Sequence, residues 1–132
     1  MQKYTIRTEE HNQMLDITTI VQKSVDESEV RDGMCYIFIP HTTAGITINE
    51  GADKDVSIDI LETLDKLVPH NGDYRHLEGN SDAHIKASLV GDSLTLIVRE
   101  GKLLLGTWQR IFFCEFDGPR TRNIIVKVVE DK

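Results

Sequence analysis

From Ser93 onward the chain is a succession of short β-branched and aromatic runs, Ser93–Val98, Leu103–Leu105, Gln109–Asp117 and Asn123–Val129, parted by Glu100-Gly101 and Gly118-Pro119. Runs of this kind between turn residues read as strands, and a chain rich in strands must bury their faces in layers. The spacing predicts a β-meander here. Four earlier runs have the same character: Lys3–Thr8 and Met14–Ile17, read as an opening hairpin, then Met34–Pro40 and Ile46–Glu50. Seven or eight strands exceed one flat sheet, so a curled sheet or two packed sheets is expected.

Helical spacing is clearest after Asp53, where Val56, Ile60, Leu64 and Leu67 recur until Pro69 stops the helix. A second helix follows Thr18 through Ile20, Val21 and Val25 to about Ser28, with Asp16 and Thr18 as caps, and a short one over Ala83–Leu89 closes at Gly91. The expected fold is α+β: a mixed or antiparallel β-sandwich-like sheet with two main helices. The 132 residues make one domain, 1–132, because two would each lack a sufficient core.

A net charge of -7 without a basic cluster repels a phosphate backbone and argues against nucleic acid as a partner. No apolar run reaches the roughly 20 residues that cross a bilayer, and Met1–Glu10 is polar where a secretory signal would be apolar, so no membrane and a cytoplasmic location are expected. Cys35 and Cys114 lie in apolar runs and are read as reduced core residues. Strands apolar on nearly both faces, Ile124–Val129 among them, suit burial inside the domain or against another subunit, hence a homo-oligomer.

Candidate chemistry concentrates at a few positions. His41 projects where a strand becomes a loop. His76 and His84 bracket Glu78, Asn80 and Asp82 at the end of a long polar stretch, His70–Asp82, read as either functional or disordered. Three imidazoles from separate segments are the ligand set of an open zinc-type site; ordinary polar loop histidines are the alternative. Glu115 shares a face with Ile111 and Phe113 in an apolar strand, so it needs a partner: an ion pair with Arg120, Arg122 or Arg99, or a functional role as ligand or general base.

Arg120 and Arg122, at the Gly118-Pro119 turn, are the best phosphate-binding candidates, with solvated surface arginines as the alternative. Thr47, Asn49 and Glu50 precede the helix whose first turn could receive an anion, although Asp53 and Asp55 suit capping there. Trp108 and Gln109 suit either the wall of a ring-binding pocket or the core.

The segments HTTAGITINEGAD (His41–Asp53), YRHLEGNSDAHIKASLVG (Tyr74–Gly91) and GKLLLGTWQRIFFCEFDGPR (Gly101–Arg120) closely resemble, in order, the YjbQ-like, secondary thiamine-phosphate synthase family. The resemblance implies an α+β homotrimer whose site joins the His-Thr-Thr strand end, Asn49-Glu50, the His76–His84 loop and Glu115, completed across a subunit boundary. It implies that a thiazole phosphate nitrogen attacks the methylene of hydroxymethylpyrimidine diphosphate: a C–N bond forms, the C–O bond breaks, and pyrophosphate leaves with the electron pair. By that resemblance Glu50, Glu78 and Glu115 are the catalytic carboxylates. Thr42, Thr43, Asn49, Trp108, Gln109, Arg120 and Arg122 would meet substrate, and His41, His76 and His84 would hold a divalent ion, zinc or magnesium. Arg110 stands where the family often has glycine, which implies a bulkier or more basic pocket wall. The alternative function is a non-catalytic trimeric binding module for a small phosphorylated metabolite.

Overall fold

The computed structural model describes residues 1–132. Its elements run β1 (Gln2–Arg7), β2 (Gln13–Asp16), α1 (Thr18–Ser28), β3 (Gly33–Phe38), β4 (Ala44–Glu50), α2 (Lys54–Leu67), α3 (Ser81–Val90), β5 (Ser93–Arg99), β6 (Lys102–Leu103), β7 (Gln109–Glu115) and β8 (Thr121–Glu130). The strands form two antiparallel sheets, ordered β1-β8-β3-β5-β6 and β2-β7-β4. The α+β sandwich is therefore present, with the two main helices α1 and α2 and, as α3, the short helix expected to close at Gly91.

Two local expectations are corrected. β1 and β2 are not a hairpin: β1 pairs with β8 in the larger sheet and β2 with β7 in the smaller. The C-terminal third is not a meander either, because β7 leaves for the smaller sheet between β6 and β8. Both departures have one cause. The β1–β2 and β7–β8 connections cross between sheets side by side, joined by Thr8 N–H to the Arg120 carbonyl (2.9 Å) and Gly118 N–H to the His11 carbonyl (3.1 Å). A Cβ at Gly118 would sit 2.2 Å from the Glu10 carbonyl oxygen, so only glycine permits this approach.

Between the sheets lies the main core. Ile111, Phe113 and Ile46 face Cys35, Ile37, Ile124 and Val126, with Ile17, Val21 and Val25 from the α1 region completing it. The opposite face of β7 presents Phe112 and Cys114, joined by Phe116, to Ala83 and Ala87 of α3, with Leu61 and Leu64 of α2 alongside. β7 is thus buried on both faces, which is why its sequence lacks polar alternation. Both cysteines are buried and free, and burial pushes their thiols up to about 11 for Cys35 and about 12 for Cys114. No helix is long and apolar enough to cross a membrane.

Helix α2 is lightly held, since none of its residues is fully buried. Its start depends on Asp53, whose Oδ1 accepts the Asp55 N–H at 2.9 Å. Asp53→Ala is expected to cost about 1 kcal/mol, read as a lower urea midpoint at unchanged slope.

The outward face of the larger sheet is uncovered. Tyr36 and Phe38 of β3, Ile97 of β5 and Val129 of β8 are each between 42% and 50% exposed. Met34 lies opposite both Ile97 and Val129, and Phe38 opposite Ile125, so these side chains form one continuous apolar surface.

Candidate functional site

Beyond Phe38, β3 no longer pairs with β8, and Pro40 carries the chain out of the sheet. His41 takes up a donor that this exit leaves free: the Asn123 N–H bonds its Nε2 at 2.8 Å. Next to it opens a cavity of about 690 Å³, lined among others by His41, Thr42, Thr43, Glu78, Asn80, His84, Arg120 and Arg122. Strand ends, the polar loop and the cross-over turn converge there, so much of the site expected from sequence is brought together by the fold.

Arg122, 4% exposed, is the buried cation among the lining residues. Its Nε donates to Glu115 Oε1 at 2.8 Å, and its Nη2 donates to Glu115 Oε2 and, at 2.8 Å, to Thr43 Oγ1. Glu115 is fully buried and does not line the cavity. Its remaining acceptor capacity goes to the Thr8 hydroxyl (2.7 Å) and the Asp117 N–H (3.0 Å). Burial alone would raise the Glu115 carboxyl, but the Arg122 guanidinium and these two donors outweigh it and hold the group below the usual carboxylate range. Of the two readings of Glu115, the structure displays the ion pair with Arg122, and it acts on the site by orienting that guanidinium. Thr43, buried beside it, has the same supporting role, whereas Thr42 is exposed and accessible to a ligand.

Arg120 is fixed at the rim, with Nη2 donating to Asp117 Oδ2 (3.0 Å) and Nε to the Asp117 carbonyl (2.8 Å). The same Asp117 oxygen accepts from Asn80 Nδ2 at 2.9 Å, tying the loop to the turn. Asn80 Oδ1 is buried without a hydrogen-bond partner in the chain. Asp117 and Asp92 also line the cavity and were not singled out from sequence; an acid three residues before Arg120 was the available signal for Asp117.

Among the histidines, His41 and His84 line both this cavity and an adjoining one of about 430 Å³. His76 stacks edge-on against His84, with ring centroids 5.3 Å apart, and its Nε2 is 3.8 Å from Glu78 Oε2. Burial and the nearby Arg122 charge lower the pKa of His41, with Glu115 opposing. A neutral ring accepting at Nε2 carries its proton on Nδ1, so the second nitrogen of His41 is a donor rather than a lone pair. The three rings accordingly do not make a preformed metal shell: the one group of three potential ligands whose donor atoms lie within 4.8 Å of one another is elsewhere, at His11, His70 and Asp82.

The other expected site residues lie apart. Asn49 pairs with Arg110 and Glu50 with Gln109, at the end of β4 opposite its Ala44 start. Seven residues of strand put them about 20 Å from the His41 end. Trp108, 63% exposed, and Gln109, whose Oε1 accepts the Gly106 N–H at 2.7 Å, are at that far end too. The bulk of Arg110 is directed to Asp16, its Nε donating to Asp16 Oδ2 at 2.7 Å. In one chain the expected site is thus split between two ends of the smaller sheet.

Comparison with known proteins places this arrangement in a family. The family model described as UPF0047 protein YjbQ-like matches residues 2–131. A UPF0047 protein of Methanocaldococcus jannaschii is 56% identical, covering 98% of this chain and 94% of its own length. The UPF0047 protein YugU of Bacillus subtilis is 51% identical, covering 94% and 95%. Among solved structures, an uncharacterized conserved protein of the YjbQ/UPF0047 family from Clostridium acetobutylicum superposes with a TM-score of 0.97 at 59% identity, covering 98% of this chain and all of that one. A protein of unknown function from Sulfolobus solfataricus gives 0.94 at 34% identity, covering 98% and 96%. With the family model spanning nearly the whole chain and the fold shared throughout, the chain belongs to the UPF0047 protein YjbQ-like family.

Proposed function

We propose that the His41–Arg122 cavity binds the phosphate groups of a small phosphorylated metabolite, and that the protein is a transferase of the thiamine-phosphate synthase type in which pyrophosphate departs. The observation that carries this reading is the pairing of Arg120 and Arg122 on one cavity, each immobilised by a carboxylate before any ligand arrives. Guanidinium groups held in this way lose little freedom on meeting a phosphate and would stabilise charge gathering on a leaving diphosphate. His41 Nδ1–H and the Thr42 hydroxyl supply neutral donors beside them.

Charge balance adds a requirement. Glu78, Asp92 and Asp117 line the cavity against the two arginines, so a bare polyanion would meet excess negative charge. A divalent ion entering with the phosphate would offset it, magnesium through the phosphate oxygens and Glu78 or zinc through His76 and His84; its contribution would be to neutralise the diphosphate oxygens.

The split of Asn49, Glu50, Trp108 and Gln109 from the arginines supports a site shared between subunits in a homotrimer. A head-to-tail contact brings unlike ends of neighbouring copies together and closes into a ring. The uncovered apolar sheet face supplies surface for such contacts.

A second reading, a binding module without turnover, is favoured by one observation. Trp108 and Gln109, the residues suited to hold a ring, lie at the other end of the smaller sheet, so within one chain they cannot set a ring nucleophile against the phosphate site.

Titration with inorganic pyrophosphate in magnesium buffer tests the phosphate site: Arg120→Ala should weaken binding roughly 10- to 100-fold, the loss of one charge-assisted bond. Equal affinity in wild type and variant would remove the reading. Release of pyrophosphate from hydroxymethylpyrimidine diphosphate and thiazole phosphate then separates transferase from binding module.

A further inference from the structure

A separate cavity, of about 610 Å³, shares no lining residue with the two at His41. Its walls come from the β1–β2 connection (His11, Asn12), the last turns of α2 (Asp65), the chain just past it (His70) and α3 (Asp82). Asp82 is 1% exposed, with Oδ1 3.2 Å from His70 Nδ1 and Oδ2 without a hydrogen bond. The nearest cation, Lys86 Nζ, is 3.6 Å from Oδ2 and is bonded to Asp65 instead. Asn12 donates from Nδ2 to both Asp65 oxygens at 3.3 Å, leaving its own Oδ1 buried and unpartnered.

One ammonium therefore serves two carboxylates, and two buried oxygens at the cavity have lone pairs unused. A buried carboxylate in this condition calls for further positive charge. The donor atoms of His11, His70 and Asp82 lie within 4.8 Å of one another, with the His11 and His70 rings edge-to-face at 5.5 Å. A tetrahedral shell with bonds of about 2.0–2.2 Å spaces its ligands by roughly 3.3–3.5 Å. His70 and Asp82 are already near that spacing, and His11, exposed, has freedom to close the remainder.

We propose that His11, His70 and Asp82 bind one divalent transition-metal ion of the zinc type, with Asn12 Oδ1 as a further oxygen ligand. Two imidazoles with oxygen donors select such ions over magnesium or calcium. His70 and Asp82 flank the loop that carries His76, Glu78 and Asn80, so the ion would clip that loop's two ends to the β1–β2 connection. This site is independent of the phosphate reading of the first cavity.

Cobalt(II) serves as an optical probe on the full chain freed of metal by chelation. Wild type should bind one equivalent with visible d–d absorption that zinc displaces. Both histidines are exposed, so the His11→Ala/His70→Ala variant should keep its fold, checked by circular dichroism, while its cobalt affinity falls by about a hundredfold or more; loss even of groups behind a ligand costs 10- to 100-fold. A His76→Ala/His84→Ala variant should retain the spectrum. Unchanged cobalt binding in the first variant, loss only in the second, or no binding by wild type would each overturn the proposal.

Discussion

Glu115→Ala is expected to destabilise the protein by about 3–5 kcal/mol, because it leaves the Arg122 guanidinium buried without its counter-charge. That is a large part of the 5–15 kcal/mol typical of a domain. A urea titration at neutral pH should show the midpoint falling steeply. Two further results would tie the loss to the pair rather than to the missing volume. Glu115→Leu combined with Arg122→Met should recover much of the stability, since an apolar pair of similar size replaces both charges. The double variant should nonetheless bind pyrophosphate more weakly than wild type, because the cavity has lost a cation.

The pH dependence follows from the depressed Glu115 carboxyl. A folded-state pKa below the unfolded value of about 4.3 means that the native state favours the ionised form, so the contribution is complete above that value. It is lost as pH falls through the lower folded pKa, on protonation of the Glu115 carboxylate. Wild type and Glu115→Ala should therefore converge in stability as the medium is acidified. Parallel curves down to that range would remove the ion pair as the source of the difference.

Ile97→Asp is expected to abolish assembly. Ile97 projects from the uncovered face of the larger sheet, 50% exposed, contributes to neither apolar core of its own chain and lies away from the phosphate cavity. In a monomer the substitution should change stability little; in an interface it buries an unpaired carboxylate on every subunit, at several kcal/mol each. Sedimentation should thus report a trimer for wild type and a monomer for the variant, with the thermal midpoint of the variant independent of concentration. If the site is completed between copies, a pyrophosphate-induced change in Trp108 fluorescence should disappear with assembly. A wild-type monomer, or a variant of unchanged size, would defeat the trimer proposal.

Local pattern made several features of this protein readable. The helical spacing of Val56, Ile60 and Leu64, the Asp53 cap and the stop at Pro69 are all recovered in α2. β-branched and aromatic runs between turn residues, alternating with polar ones in some strands, located the strands within one or two residues, and Gly118-Pro119 marked the turn that presents Arg120. An acid on the apolar face of β7 forecast a buried charge needing a partner. Each follows from interactions within a few residues, where side-chain period and turn chemistry dominate.

What the alternation could not state is which strand lies beside which. Period two assigns a side chain to a face, but β1 fits β2 or β8 equally well by that criterion, and pairing is settled by packing over long separations. Glu115 bonds Thr8 across 107 positions, and the choice of Arg122 over Arg120 or Arg99 depends on how β7 and β8 cross between sheets. The same crossing brings His41 to the Asn123 N–H and sends Asn49, Glu50, Trp108 and Gln109 to the other end. His11 and His70 were not singled out from sequence, because 59 positions of chain separate them and only the stacking of α3 and α2 against the β1–β2 connection joins them to Asp82. Sequence thus determined the elements and the kinds of chemistry available; tertiary structure decided which groups meet, because close packing of two sheets, rather than nearness along the chain, sets those distances.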